Sequence, residues 1–178
     1  MRLLTEINGF NVTGNASTAR STGLELAWTW RPVTGLSLSL NGAYTNAEMT
    51  SEAPQIGATS GDQLPDSPKL SGTLAADYDF PLAYDVDGFF QYLGSRPIDY
   101  VSSTPAGYVR PVMPSYNMVN LHAGVDISNF QVELYVKNVG DTYGLTRLRS
   151  QMRDGISAPL AAAIIPPRTI GISLTQKS

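Results

Sequence analysis

The chain has 178 residues, enough for one domain with a sizeable core, and a net charge of −3. Charged residues make up only 15% and hydrophobic residues 42%, so Ser, Thr, Asn, Gln and Gly must fill most polar positions, and there is no cysteine. These values exclude a disulfide framework and thiolate metal sites, and they offer no basic footprint for a nucleic-acid partner or a polybasic membrane anchor.

No stretch approaches the length of a membrane-spanning helix; the longest apolar run, Leu160 to Ile165, lies between prolines. The opening MRLLTEINGF has too little apolar sequence for a signal peptide. A membrane role therefore predicts crossing by strands, with the export signal outside this sequence.

Strand signals recur along the chain and amphipathic helices do not. A first strand, weakly patterned, is expected near Leu3 to Val12. In "TGLELAWTWR", Leu24, Leu26, Trp28 and Trp30 alternate with Gly23, Glu25, Ala27 and Thr29. After "PVTG", Leu36, Leu38, Leu40 and Tyr44 alternate with Ser37, Ser39, Asn41 and Thr45, and the two runs read as one hairpin. "KLSGTLAADYDF" sets Leu70, Leu74, Ala76, Tyr78 and Phe80 against Ser71, Thr73, Ala75, Asp77 and Asp79. Val86, Phe90 and Tyr92 then oppose Asp85, Asp87 and Gln91. "VNLHAGVDI" places Val119, Leu121, Ala123, Val125 and Ile127 against Asn120, His122 and Asp126. Past Ser128 and Asn129, Phe130, Val132, Leu134 and Val136 oppose Gln131, Glu133, Tyr135 and Lys137. The chain closes with Ile170, Ile172 and Leu174 alternating with Thr169, Gly171, Ser173 and Thr175. The expected fold is all-β and antiparallel, with about eight strands.

The connections carry further information. Arg31 to Gly35, Phe80 to Tyr84 and Ser128 to Asn129 are short, whereas Met49 to Pro68, Ser95 to Pro114 and Asp141 to Pro166 are long. Strict alternation puts all short turns at one end of the sheet. Long structureless loops are uncommon in compact soluble domains, whereas outer-membrane barrels combine short periplasmic turns with long extracellular loops. Trp28, Trp30, Tyr78, Phe80 and Phe130 lie on the apolar faces close to the short turns, as an interfacial aromatic girdle would. The polar face would then line a lumen.

The order of these segments resembles a known family. "STGLELAWTWRPVTGLSLSLNGAYTNAE", "LPDSPKLSGTLAADYDF", "MPSYNMVNLHAGVDISNFQVELYVKNVGDTYG" and "PPRTIGISLTQ" are similar to the C-terminal part of TonB-dependent outer-membrane receptors, over nearly the whole chain. The resemblance implies a Gram-negative outer-membrane location and a segment, over residues 1–178, of a 22-stranded barrel. It also implies import of a scarce small-molecule ligand such as a ferric siderophore, energised through the TonB complex. No sequence here reads as the plug domain or the TonB box, so an open curved sheet is expected, whose partners are outer-membrane lipid, the plug and the remaining strands. Family members usually end in an aromatic residue, where this sequence has Gln176-Lys177-Ser178.

No enzymatic constellation is evident, and no cofactor is implied. His122 is the one histidine, on the polar face with Asn120 and Asp126, which makes neither a metal site nor a triad. Asp77, Asp79, Asp85 and Asp87 flank a short turn, where solvated carboxylates at strand spacing are the simpler reading than a cation site. Ligand recognition is expected in the long loops. The candidates are Tyr100, Tyr108 and Arg110 in one loop and Arg147, Arg149 and Arg153 in another, since arginines suit an anionic ferric chelate or a lipopolysaccharide phosphate.

Two alternatives remain open from the residues alone. A complete eight-stranded barrel with a structural or adhesive role would pair the first strand with Ile170 to Thr175. A soluble β-sandwich binding module would bury Leu24, Leu38, Leu74 and Val132 against a second sheet.

Overall fold

Alternating runs become an antiparallel sheet because each strand must pair its backbone groups and turn its apolar side chains the same way as its neighbours. The computed structural model describes residues 2–7, 10–15, 17–54, 57–81, 84–98, 100, 111–153 and 156–176, with side chains described at 17–54, 57–81, 84–98, 100, 111–148 and 161–176. Its strands are β1 (Arg2–Ile7), β2 (Phe10–Asn15), β3 (Ala19–Trp30), β4 (Leu36–Met49), β5 (Leu70–Phe80), β6 (Tyr84–Leu93), β7 (Arg96–Pro97), β8 (Val112–Met113), β9 (Tyr116–Ile127), β10 (Phe130–Lys137), β11 (Leu145–Arg153), β12 (Ile156–Ile164) and β13 (Thr169–Gln176).

Seven of these form the main sheet in the order β13-β10-β9-β6-β5-β4-β3. Its register is uniform. One cross-strand row runs Trp30, Leu38, Ala76, Gly88, Leu121, Val136, Ile170 across all seven strands. A neighbouring row on the opposite face runs Ser37, Asp77, Asp87, His122, Tyr135, Gly171. A slip of one residue in any strand would carry its apolar set to the polar face, so the pattern itself fixes the register.

The expected eighth strand is corrected. Leu3 to Val12 is not one strand of the main sheet but spans two, β1 and β2, paired with each other from Arg2 opposite Asn15 to Ile7 opposite Phe10. Asn8-Gly9 separates them in sequence, a strong hairpin signal. The main sheet is therefore open, ending at β3 and β13, and the closed eight-stranded barrel is excluded. A soluble sandwich is excluded as well: Leu24 is 77% exposed and Ile170 75%, and no second described sheet covers them.

The apolar face has no core of its own. Trp28 stacks with Trp30 at 5.9 Å between ring centroids, and Tyr78 meets Phe80 edge-on at 4.4 Å, yet all but Tyr78 are exposed. The buried apolar side chains among the described residues, Ala47, Met49, Ala53, Ala58, Met113 and Ile165, all lie at or within the long connections.

Short turns rest on special backbone. Gly35 has φ +86°, and a Cβ there would run into the Asp79 carbonyl, while its own carbonyl accepts the Asp79 amide at 2.9 Å. Glycine is therefore required on both counts. Ser128 takes φ +53° to begin the two-residue turn between β9 and β10.

The long connections are not structureless, as the sequence had suggested. The segment from 94 to 115 holds the short pair β7 and β8, and that from 138 to 168 holds the hairpin of β11 and β12. Polar residues and Pro159 mask the strand period there, so the pairing is decided by neighbouring backbone and not by an apolar stripe.

Candidate functional site

The two ends of the sheet differ in chemistry. On β4 the positions that turn with Leu36, Leu38, Leu40 and Tyr44 continue as Asn46 and Glu48, opposite Thr22 and Arg20 on β3. Arg20 Nη2 donates to Glu48 Oε1 at 2.8 Å and Asn46 Nδ2 to Glu48 Oε2 at 3.3 Å. The Arg20 hydrogen bond, followed by that from Asn46, holds the Glu48 carboxyl below its ordinary value of 4.5. On β3 and β4 the apolar band therefore stops short of the long-loop end, where these strands continue with polar side chains.

Beyond that band the long connections are tied into one rim. Ser17 Oγ lies 3.0 Å from Ser51 O and 2.8 Å from Glu52 O, binding the start of β3 to the first connection. Met49, Ala53 and Ala58 make a small buried cluster against which Leu64 and Tyr100 pack. The Asp66 amide donates to Pro97 O at 2.8 Å, joining the first connection to β7. Arg96 then reaches the third connection, its Nη2 donating to Leu145 O at 3.0 Å and Thr146 O at 3.1 Å.

The foot of the third connection is fixed by Asn138. This side chain is buried, and the residue sits at φ +51°, which asparagine tolerates better than most. Its Nδ2 donates to Thr142 O at 3.0 Å and Pro166 O at 2.9 Å, its Oδ1 accepts the Thr142 amide at 2.9 Å, and its amide donates to Asn120 Oδ1 at 2.9 Å. Both halves of the connection are thus pinned to β9 and β10. The Arg168 amide donates to Asp141 Oδ1 at 2.9 Å on the way into β13. These contacts account for "KNVGDTYG" and "PPRT" as a folding knot at the loop base.

The ligand candidates fall into separate surroundings. Tyr100 is half-buried, its hydroxyl 3.6 Å from Met49 Sδ, so it packs the first connection more than it displays a binding group. Tyr108 and Arg110 lie outside the described residues. Arg147 is exposed on β11; Arg149 and Arg153 lie on the same strand and not in a structureless loop. Arg96 and Asn138 escaped sequence reading because a single Arg or Asn near Pro or Gly looks like ordinary loop composition.

The polar face is hollow. An open concavity of about 520 Å³ has a mixed lining that includes Glu25, Asn41, Thr73 and Gln91 beside Ala27, Ala43 and Leu93, and a second of about 530 Å³ is lined by Asp85, Asp87, His122, Glu133, Tyr135 and Lys137. His122 Nδ1 pairs with Asp87 Oδ2 at 2.8 Å, from directly opposite positions on β9 and β6. Tyr135 lies edge-on to His122 at 6.4 Å and takes Lys137 Nζ 5.0 Å over its ring. Among the described residues no group of three His, Asp or Glu side chains is placed to hold a metal.

An open antiparallel sheet with an uncovered apolar face, a hollow polar face and long connections at one end is a piece of barrel wall. The chain belongs to the TonB dependent receptor-like, beta-barrel family, whose profile matches residues 3–139. No curated protein sequence matches it significantly. Among solved structures it is similar to the ferric yersiniabactin uptake receptor FyuA from Yersinia pestis, at 22% identity and a TM-score of 0.74, over 92% of this chain and 24% of that one. It is likewise similar to the ferric enterobactin receptor PfeA from Pseudomonas aeruginosa, at 22% identity and a TM-score of 0.69, over 93% and 23%. The ferripyoverdine receptor of the outer membrane of Pseudomonas aeruginosa follows at 19% identity and a TM-score of 0.66, over 88% and 19%. The chain thus spans about a quarter or less of the receptors it resembles in fold.

Proposed function

We propose that residues 1–178 form part of the wall of an outer-membrane TonB-dependent transporter that imports a scarce anionic ligand of the ferric-siderophore class. The observation that carries this reading is the two-faced sheet. Its apolar band, with Leu24, Leu74, Leu134 and Ile172 each about half exposed or more, matches acyl chains, and a transmembrane strand needs about 9–11 residues for the crossing. Its polar face suits a lumen that the plug fills, and the tied rim suits ligand capture on the outside. Seven strands would be about a third of a 22-stranded wall, so the plug, the other strands and the TonB complex are partners supplied beyond this sequence. Binding and passage, not bond-making chemistry, is the activity this geometry supports.

The test is uptake by a Gram-negative host starved of iron, with and without the native gene, offered radiolabelled ferric citrate, a ferric tris-catecholate and a ferric hydroxamate. Accumulation of at least one chelate should require both the gene and a functional TonB complex. Equal accumulation of all three in the gene's absence would sink the reading.

A further inference from the structure

A bulge in β11 lies immediately before Arg147, a ligand candidate with an exposed side chain. Leu145 opposes Ile164 and Arg147 opposes Ala163, so Thr146 is an extra residue with no counterpart on β12. Such a bulge breaks the ladder locally and re-aims the side chains beside it. Its carbonyls still need donors, and both are met from outside the hairpin by Arg96 Nη2, from Leu145 O at 3.0 Å and from Thr146 O at 3.1 Å.

Arg96 is an expensive residue for that task. It is 4% exposed, it meets the two main-chain carbonyls through one nitrogen, and its Nη1 is buried with no acceptor among the described residues. A guanidinium buried without full pairing costs more than an apolar side chain of similar volume. Packing alone would therefore favour Met or Leu at this position. The platform beneath it is rigid: Arg96 pairs with the fully buried Met113, and Pro97 O takes the Asp66 amide at 2.8 Å. What the guanidinium supplies, and an apolar residue could not, is a fixed bulge.

We infer that Arg96 is a positioning residue for ligand capture: by holding the Thr146 bulge it sets the direction in which Arg147 is presented to an anionic ferric chelate. This rests on the transport reading above. Arg147 touches the chelate, and Arg96 acts only through it.

The test uses the native gene product in outer-membrane vesicles, with Arg96→Met, Arg147→Ala, the double variant, and deletion of Thr146 as a second way to abolish the bulge. Heat-modifiable migration checks that each has formed its barrel. With ferric citrate and a ferric tris-catecholate as anionic probes, Arg147→Ala should weaken the tighter one about tenfold. Arg96→Met and the Thr146 deletion should match that loss, and the double variant should be no worse than either single one. Losses that multiply in the double variant would overturn the inference, since Arg96 would then act independently of Arg147. If neither chelate binds the unaltered protein, the capture reading is what fails, and tryptic cleavage after Arg147 still decides the clamp. Arg96→Met should speed that cut about tenfold while the cut after Lys69 keeps its rate, and an unchanged rate after Arg147 would overturn the clamp itself.

Discussion

The two ends of the sheet solve opposite problems with the same backbone. At the short-turn end, Trp30, Phe80, Tyr84 and Phe130 remain exposed, and connections as tight as Ser128-Asn129 leave little to pack. At the long-loop end the chain builds a small core around Met49, buries Met113, and ties its connections together through the side chains of Asn138 and Arg96. The strands between them form a wall whose apolar face is left uncovered among the described residues. The rim behaves like a soluble domain in miniature, while the wall does not. A mutation should therefore be judged by which of these environments it enters.

The sharpest way to test this contrast is a charge on each face of one strand. Leu74 sits in the row Trp28, Leu40, Leu74, Phe90, Val119, midway along the apolar band. Leu74→Arg should cost about 2–4 kcal/mol of stability in lipid vesicles, as midplane arginine does on a lipid-facing strand. Thr73→Arg, one residue away on the hollow face, should cost less than about 1 kcal/mol in the same denaturant titration. Equal costs would remove the distinction between the faces.

Next in size is the knot at the loop base. Asn138→Ala deletes three side-chain hydrogen bonds at a buried position with positive φ, and should cost about 3 kcal/mol. Asn138→Gly, which relieves the backbone but not the lost bonds, should recover about 1 kcal/mol of it. Hydrogen exchange at Thr142 and Arg168 would show whether the opening is confined to the rim.

A smaller effect is expected on the hollow face. Tyr135 lies against Gly171, where a Cβ would meet its ring. Gly171→Val should cost about 1–3 kcal/mol by overpacking, and a compensating Tyr135→Ala should restore much of it. Failure of that rescue would mean that the cost comes from the strand and not from the ring.

The smallest concerns Arg20 and Glu48. Because the Glu48 carboxyl is held below 4.5 by Arg20 and Asn46, its contribution is complete above that value and is lost as the pH falls through the lowered one. Acidification should raise hydrogen exchange at the loop end of β3 and β4, and Arg20→Gln should remove the pH dependence. An unaltered pH profile in that variant would assign the effect to other carboxylates.

Much of the wall was legible in the residues. The period-2 runs from Leu24 to Trp30, Leu36 to Tyr44, Leu70 to Phe80 and Val119 to Val136 fall within the strands observed, on the expected faces, because one face must stay apolar and the register has no freedom. The family resemblance followed from the same segments, and the profile match over 3–139 bears it out. The rim was largely illegible. One expected strand at Leu3 to Val12 is a hairpin, and the third long connection, read as structureless, folds into β11 and β12.

What the sequence determined by itself was therefore the two-faced wall and the side on which its long connections lie, since alternation is a local property that each strand states alone. The open sheet, ending at β3 and β13, was expected from the resemblance, whereas only tertiary structure decided that Tyr100 packs against Met49 and that Arg96 meets the bulge at Thr146. Those contacts join residues some fifty positions apart through single hydrogen bonds. No periodicity announces such contacts: Arg96 meets backbone carbonyls that any residue could offer, and Tyr100 meets the Met49 sulfur.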